Sequence, residues 1–248
     1  LSTQFEDGDE VWLWALKENT PNEQITAWKL KADGYGGFSS FTAGTTKYWP
    51  SDGLHLDVYA LHGNFKNQIT EDATSLSSLT SLTHTVETNQ TSPENKRLSD
   101  LLYSRKSSAT PNNPVQLAFD HLLAKITVKL DLNNSEGIES SELNNATVTL
   151  TNIQPEATIS KASLTENSEK TNTTGTHTTI TAGKITSSIN SGDVIGSAIV
   201  PLQNFGGGKS DASPDNVITI TLASPDSRSF SYKPTSYVAL TAGNEYTY

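Results

Sequence analysis

The sequence predicts an all-β protein built of two β-sandwich domains, and three observations predict it. Apolar residues recur with period two in short runs bounded by Gly, Pro, Asn and Asp, the pattern of strands with one buried face. Apolar content is low for a deeply buried α/β enzyme, at 34% with a mean hydropathy of -0.44. Abundant Ser, Thr and Asn suit thin sandwiches with exposed connections. The third observation is a change of phase at mid-chain. Val115, Leu117 and Phe119 set the apolar face at odd positions; after Leu122-Leu123-Ala124 the even positions Ile126, Val128, Leu130 and Leu132 take over. Strand side chains alternate between faces, so a one-residue slip moves the buried set to the other face. The chain is therefore expected to bulge, bend or pass from one core to another near residues 121–124. With 248 residues favouring two domains, the boundaries are set at 1–121 and 122–248.

The elements follow in order. Val11-Trp12-Leu13-Trp14-Ala15-Leu16 is apolar on both faces and reads as a central strand; Phe5 to Glu10 leads into it, with Gly8 suited to a tight turn. Asp33-Gly34-Tyr35-Gly36-Gly37 marks a turn. Leu54, Leu56, Val58 and Ala60 alternate with polar neighbours in a half-buried strand, entered through the turn residues Pro50 and Asp52-Gly53. Leu76, Leu79, Leu82 and Val86 have helical spacing, but the intervening Ser and Thr are weak helix formers. That region reads as a long surface loop with at most one short helix. Asp100 to Ser104 is a short packed segment, and Ala146 to Leu150 alternates as a strand. Residues 166–179 are polar and Thr-rich, an exposed loop or hairpin end. Residues 195–202, 217–222, 230–232 and 237–240 supply further strands, with Ile218, Ile220 and Leu222 on one face. Pro201, Pro225 and Pro234 fit strand ends. Gly206-Gly207-Gly208 reads as a flexible turn; it precedes no helix and lacks phosphate-loop spacing. Ala242 to Tyr248 opens the second strand of a hairpin, Tyr246 and Tyr248 facing inward, so a closing strand is expected beyond it.

Several classes of function are disfavoured. A formal net charge of -10 leaves no basic patch for nucleic acid or anionic lipid. No run is long enough for a membrane helix, and no signal h-region opens the chain. Without cysteine there is no disulfide framework, thiol nucleophile or thiolate metal site. The five histidines show no metal-ligand spacing, and His121 reads as a hydrogen-bonded core residue. Glu6, Asp7, Asp9 and Glu10 lack EF-hand spacing and read as a solvated loop. No Ser sits in a nucleophile elbow, and no local motif singles out a carboxylate pair. Neither a metal nor a cofactor is expected. Trp12 or Trp14 reads as core, whereas Trp28 and Trp49 are candidate glycan contacts.

Motifs in a fixed order add a resemblance. Phe5-Glu6-Asp7-Gly8-Asp9-Glu10-Val11 is followed by Tyr48-Trp49-Pro50-Ser51-Asp52-Gly53 and Leu54 to Ala60, then by Asp100-Leu101-Leu102-Tyr103 and Leu117 to Ile126. Ala146 to Leu150, Val200-Pro201-Leu202-Gln203 and Leu240 to Tyr246 complete the series. Over almost the whole chain this resembles the fimbrillin family of Bacteroidales surface pili. The resemblance implies two tandem transthyretin-like β-sandwich domains, a non-enzymatic fimbrial subunit and export as a lipoprotein to the outer membrane. It also implies assembly by strand exchange: cleavage after an Arg removes an N-terminal strand, and a neighbour's terminal strand fills the groove. Two departures from that pattern stand out: the lipoprotein cysteine and cleavage site are not present, the first Arg being Arg97, and the strand expected after Tyr248 is missing. The expected partners are other fimbrial subunits and a host or bacterial surface receptor. The expected assembly groove involves Val11, Leu13, Val238, Leu240, Tyr246 and Tyr248. The rival readings are a glycan-binding adhesin module, with exposed Trp28 and Trp49, and a hydrolase, with two carboxylates facing across a cleft.

Overall fold

The computed structural model describes residues 4–18, 23–131, 140–165, 171–186, 189–209, 213–223 and 227–248. Its strands are β1 (Glu10–Lys17), β2 (Glu23–Ala32), β3 (Phe38–Ser40), β4 (Leu56–His62), β5 (Leu82–Thr85), β6 (Leu102–Ala109), β7 (Asp120–His121), β8 (Ala124–Lys129) and β9 (Thr147–Ile153). They continue as β10 (Glu156–Ile159), β11 (Asn172–Thr174), β12 (Thr178–Lys184), β13 (Val194–Val200), β14 (Asn204–Gly206), β15 (Ile218–Thr221), β16 (Ser229–Tyr232), β17 (Tyr237–Ala239) and β18 (Glu245–Thr247). Two short helices, α1 (Pro93–Ser99) and α2 (Lys161–Thr165), are the α-helical elements among the described residues. The protein is all-β. Its contacts divide it into two compact units, one of residues 1–84, 100–122 and 158–172, the other of 85–99, 123–157 and 173–248.

The first unit is organised on a six-stranded sheet of order β3-β2-β1-β4-β6-β7. Strand β1 sits between β2 and β4, antiparallel to both, with Leu13 opposite Trp28 on one side and Ala60 on the other. Both of its faces are covered as well, which is why its sequence is apolar on both. Val11, Leu13 and Ala15 join Leu30, Leu56, Val58, Ala60 and Ala109 in one buried cluster. Trp14 points to the opposite face, fully buried, its Nε1 donating to the Thr74 carbonyl at 3.0 Å. Two expectations change here. The strand expected over 54–60 begins at Leu56 and is buried on both faces from Val58 to Leu61, leaving Leu54 exposed. The loop around Leu76 is more than surface, because Phe65, Ile69, Leu76 and Leu82 are buried. It holds no helix, and the Glu23 carboxylate anchors it by accepting from the Leu76 and Ser77 amides at 2.7 and 3.3 Å.

The second unit holds a four-stranded sheet of order β12-β9-β15-β16, a three-stranded sheet β13-β8-β18 and a β14–β17 ribbon. On β9, Val148 and Leu150 are buried and the threonines between them are part-exposed, as alternation requires. Ile126 and Val128 of β8 are buried. Gln90 is buried in this unit: its side-chain amide donates to the Ile199 carbonyl and accepts from the Ile199 amide, at 2.9 and 2.8 Å.

Four further readings are corrected. Gly206 is no flexible turn: it ends β14 at φ 128°, where a Cβ would lie 2.4 Å from the Ser236 carbonyl oxygen. Gly207 meets the Pro234 carbonyl in the same way, at 2.5 Å. The segment ending at Tyr248 is no hairpin arm, because β18 pairs parallel with β8, Tyr246 opposite Ile126. The polar stretch before residue 180 contributes β11 and the start of β12. Finally, His121 Nδ1 lies 2.9 Å from Asp100 Oδ2 without hydrogen-bond geometry. The readings made on residues 1–3 and 166–170, Leu132 and Pro225 lie outside the described residues.

Candidate functional site

In the first unit, Leu13 of β1, Ile25, Trp28 and Leu30 of β2, Phe38 of β3, and Leu56 and Val58 of β4 line an apolar groove of about 350 Å³. Tyr48, Trp49, Gly36, Gly37 and the stretch from Pro114 to Leu117 complete the lining, and none of these residues is charged. Pairing Leu13 with Trp28 and Val11 with Leu30 puts alternate residues of neighbouring strands on one face. Phe5 stacks edge-to-face on Phe38 and Phe119, with centroids 5.3 and 4.9 Å away, packing against the same cluster. The turn at Gly36 and Gly37 is set by Asp33, whose Oδ1 accepts from the Tyr35 and Gly37 amides at 2.8 and 2.9 Å. Those two bonds hold the Asp33 carboxyl below its ordinary value.

Residues 114–119 give the groove its special character. Val115, Leu117 and Phe119 are half-buried against the cluster while Gln116 and Ala118 between them are exposed, the alternation of a strand-like stretch. Yet among the described residues none makes a backbone hydrogen bond with this stretch; pairing resumes at Asp120, opposite Tyr103. A smaller hollow of about 220 Å³, lined by Lys106, Ser108, Thr110 and Asn113 among others, also touches Pro114, Val115 and Gln116. A half-buried stretch whose amides and carbonyls have no backbone partner among the described residues offers a template for another strand.

The residues singled out from sequence fall in several places. Val11 and Leu13 lie in the buried cluster of the first unit, and only Leu13 lines the groove. Both edges of β1 are already paired, so an added strand finds no backbone partner there. Val238, Leu240, Tyr246 and Tyr248 belong to the second unit. Val238 is 41% exposed on β17, which pairs with β14 on one side, and Leu240 is buried. Strand β18 is the edge of its sheet. The Tyr246 hydroxyl accepts from the Thr241 amide at 3.0 Å, and the Tyr248 ring packs on Phe205 at 5.2 Å. Trp28 and Trp49 are part-buried against the cluster, and the Trp28 Nε1 is enclosed without a hydrogen-bond partner. They are groove walls rather than an open aromatic platform. Residues 114–117, Ile25 and Tyr48 were missed. The alternation of Val115 and Leu117 announced an inward face, but no local pattern reports a missing backbone partner.

Titratable groups are mostly tied into structure. The Glu245 carboxylate accepts from Thr127 Oγ1 at 2.5 Å and pairs with Lys125 at 3.1 Å, contacts that lower its pKa. Burial and the neighbouring Lys125 lower Lys96, which donates to Ser197 Oγ at 3.0 Å. Burial pushes Tyr103 up to about 12, its hydroxyl donating to the Leu164 carbonyl at 2.6 Å. His62 Nδ1 sits 2.7 Å from the Glu10 carbonyl, and His84 Nδ1 accepts from the Asn64 amide at 2.9 Å. Among the described residues, no three His, Cys, Asp or Glu gather to hold a metal, and no helix is long and apolar enough to cross a membrane.

Fold and site together define a β-sheet protein whose distinctive surface is an uncharged groove rather than a cleft of clustered titratable groups. The chain belongs to the fimbrillin-like family, whose sequence profile matches residues 1–248. Its fold is shared with a candidate cell adhesion protein of Bacteroides uniformis, at TM-score 0.65 and 20% identity, over 99% of this chain and 87% of that one. A candidate cell adhesion protein of Bacteroides ovatus aligns at TM-score 0.66 and 17% identity, over 98% and 81% of the two chains. A fimbrial protein of the same species aligns at TM-score 0.50 and 12% identity, over 98% of this chain and 44% of that one. No curated protein matches.

Proposed function

We propose that the chain is a non-enzymatic structural subunit of a bacterial fimbria, or an adhesin of the same kind, displayed at the cell surface. Membership of the fimbrillin-like family along residues 1–248 is the observation that carries this reading. The groove beside residues 114–119 supports a mechanism: an extended segment of a neighbouring subunit pairs its backbone with the open stretch and lays alternate side chains into the groove. Such a contact is heterologous and does not close on itself, so repetition builds a filament. Residues 1–121 and 122–248 are proposed as its two tandem domains, of the transthyretin-like type. Passage through the outer membrane on a lipid anchor, removed by processing, is proposed on the resemblance alone. The glycan-binding alternative loses support from the enclosed Trp28 indole nitrogen and the packed Trp49.

A photo-crosslinking residue in place of Gln116, in cells expressing the full chain, tests assembly. Crosslinks to a second fimbrial subunit in filaments sheared from the surface are the expected result. A chain missing from sheared filaments, with no crosslinked partner, would refute the proposal.

A further inference from the structure

We propose that the polar hollow beside β6 is a binding site for an acidic monosaccharide, a pyranose ring carrying one carboxylate. The site is separate from Trp28 and Trp49, and the inference stands apart from assembly into a filament.

A bulge in β6 builds it. Leu56 pairs with Ala109 and Val58 with Lys106, so Ser107 and Ser108 together stand opposite Asp57. A bulge of this kind re-aims side chains. Directly opposite residues share a face of the sheet, so Lys106 joins Val58 and Ala109 on the side that carries the buried cluster, yet it stays exposed. Ser108 takes φ 53°, a left-handed conformation disfavoured for a residue with a side chain. It is held there from two sides: Asp57 Oδ1 accepts from its amide at 3.0 Å, and its Oγ lies 2.9 Å from His55 Nδ1. Strain that the surroundings fix in this way gathers at ligand sites.

The lining points to the ligand's chemistry. Among the described residues it holds one cation, Lys106, and no carboxylate. Ser108 and Thr110 bring hydroxyls, and Asn113 and Gln116 bring primary amides. Asn113 Nδ2 donates to Thr110 Oγ1 at 3.1 Å, which keeps those two groups side by side. The ammonium suits a carboxylate. The amides and hydroxyls both donate and accept, as sugar hydroxyls do, whereas a phosphate or a bare carboxylate chiefly accepts and leaves the amide oxygens unanswered. Pro114 and Val115 supply apolar surface for the C–H face of the ring. A volume of about 220 Å³ lies below the roughly 300–1,000 Å³ of sites for drug-sized ligands and suits a single ring. The chain's net charge of -10 opposes an anion only weakly here, since physiological salt screens exposed charges beyond about 8 Å.

The test titrates the full chain with methyl glucuronide, its neutral isostere methyl glucoside, and inorganic phosphate, following the backbone amide signals of residues 106–116 by NMR. The glucuronide should shift them to saturation. The glucoside should bind at least about tenfold more weakly, the margin of a charge-assisted hydrogen bond, and phosphate no better than the glucoside. Lys106→Gln, at an exposed position, should bring the glucuronide down to the glucoside's affinity with Tm unchanged. Asn113→Ala should weaken both sugars several-fold, and Lys129→Gln, in the second unit, should change neither. Equal binding of glucuronide and glucoside, or a glucuronide affinity untouched by Lys106→Gln, overturns the carboxylate contact. Phosphate binding as tightly as the glucuronide overturns the sugar. An equal loss from Lys106→Gln and Lys129→Gln, or no saturable shift with any probe, overturns the site.

Discussion

Replacing Gly206 by Ala should unhinge the ribbon that carries Val238. The backbone there has φ 128°, a conformation that costs an L-residue about 1–3 kcal/mol. The added Cβ would also lie 2.4 Å from the Ser236 oxygen and 3.0 Å from the Tyr237 Cα, both main-chain atoms of the partner strand, so β14 and β17 must move apart. That movement breaks into a buried network. Asn216, fully buried, accepts from the Gly206 amide at 3.0 Å, its own amide donates to the Gly206 carbonyl at 3.0 Å, and its side chain donates to the Thr151 and Asn152 carbonyls. Leaving one such group unpaired costs about 1–3 kcal/mol more. The sum is on the order of 4 kcal/mol, which lowers Tm by about 10 °C in a chain of this size. Gly192→Ala is the control, because its φ is 91° but nothing lies within 4 Å of the new Cβ. It should cost only the backbone strain, roughly 1–2 kcal/mol. Both variants would be followed by calorimetry and by hydrogen exchange of residues 204–206 and 237–239. A Gly206→Ala protein no less stable than Gly192→Ala would refute the close-approach account.

Two other outcomes are expected. Gln90→Ala should lower stability by roughly 2–4 kcal/mol, because the Ile199 amide and carbonyl both lose a buried partner; denaturant titration reads it, and an unchanged midpoint would count against the network. For Glu245, Thr127 and then Lys125 hold the folded pKa below 4.5, so this contribution is present above about pH 4.5 and fades as pH falls through the lower folded value. The protection factor of the Tyr248 amide, bonded to the Thr127 carbonyl at 3.0 Å, should therefore fall in acid, and less so in Thr127→Val. A protection factor insensitive to acid in both proteins would show that Glu245 does not hold β18.

What the sequence determined by itself is which residues face inward. Val11 to Leu16 reads as a strand covered on both sides because its apolar residues are continuous, and β1 buries Val11, Leu13 and Ala15 on one face and Trp14 on the other. Ala146 to Leu150 alternates, and β9 buries every second residue. Family membership was equally legible, since it rests on the order of short motifs and not on contacts. Tertiary structure alone decided who pairs with whom. Residues 245–247 have the same composition whether they close an antiparallel hairpin or run parallel to β8, and the choice lies in hydrogen bonds to a strand more than a hundred residues earlier. A GGG run looks like a flexible turn until two chains approach within a Cβ of each other. The groove is the clearest case. Its lining comes from separate segments between Leu13 and Leu117, and the stretch beside it finds no backbone partner among the described residues. Side-chain alternation tells which way a residue points and carries no information about the edge beside it.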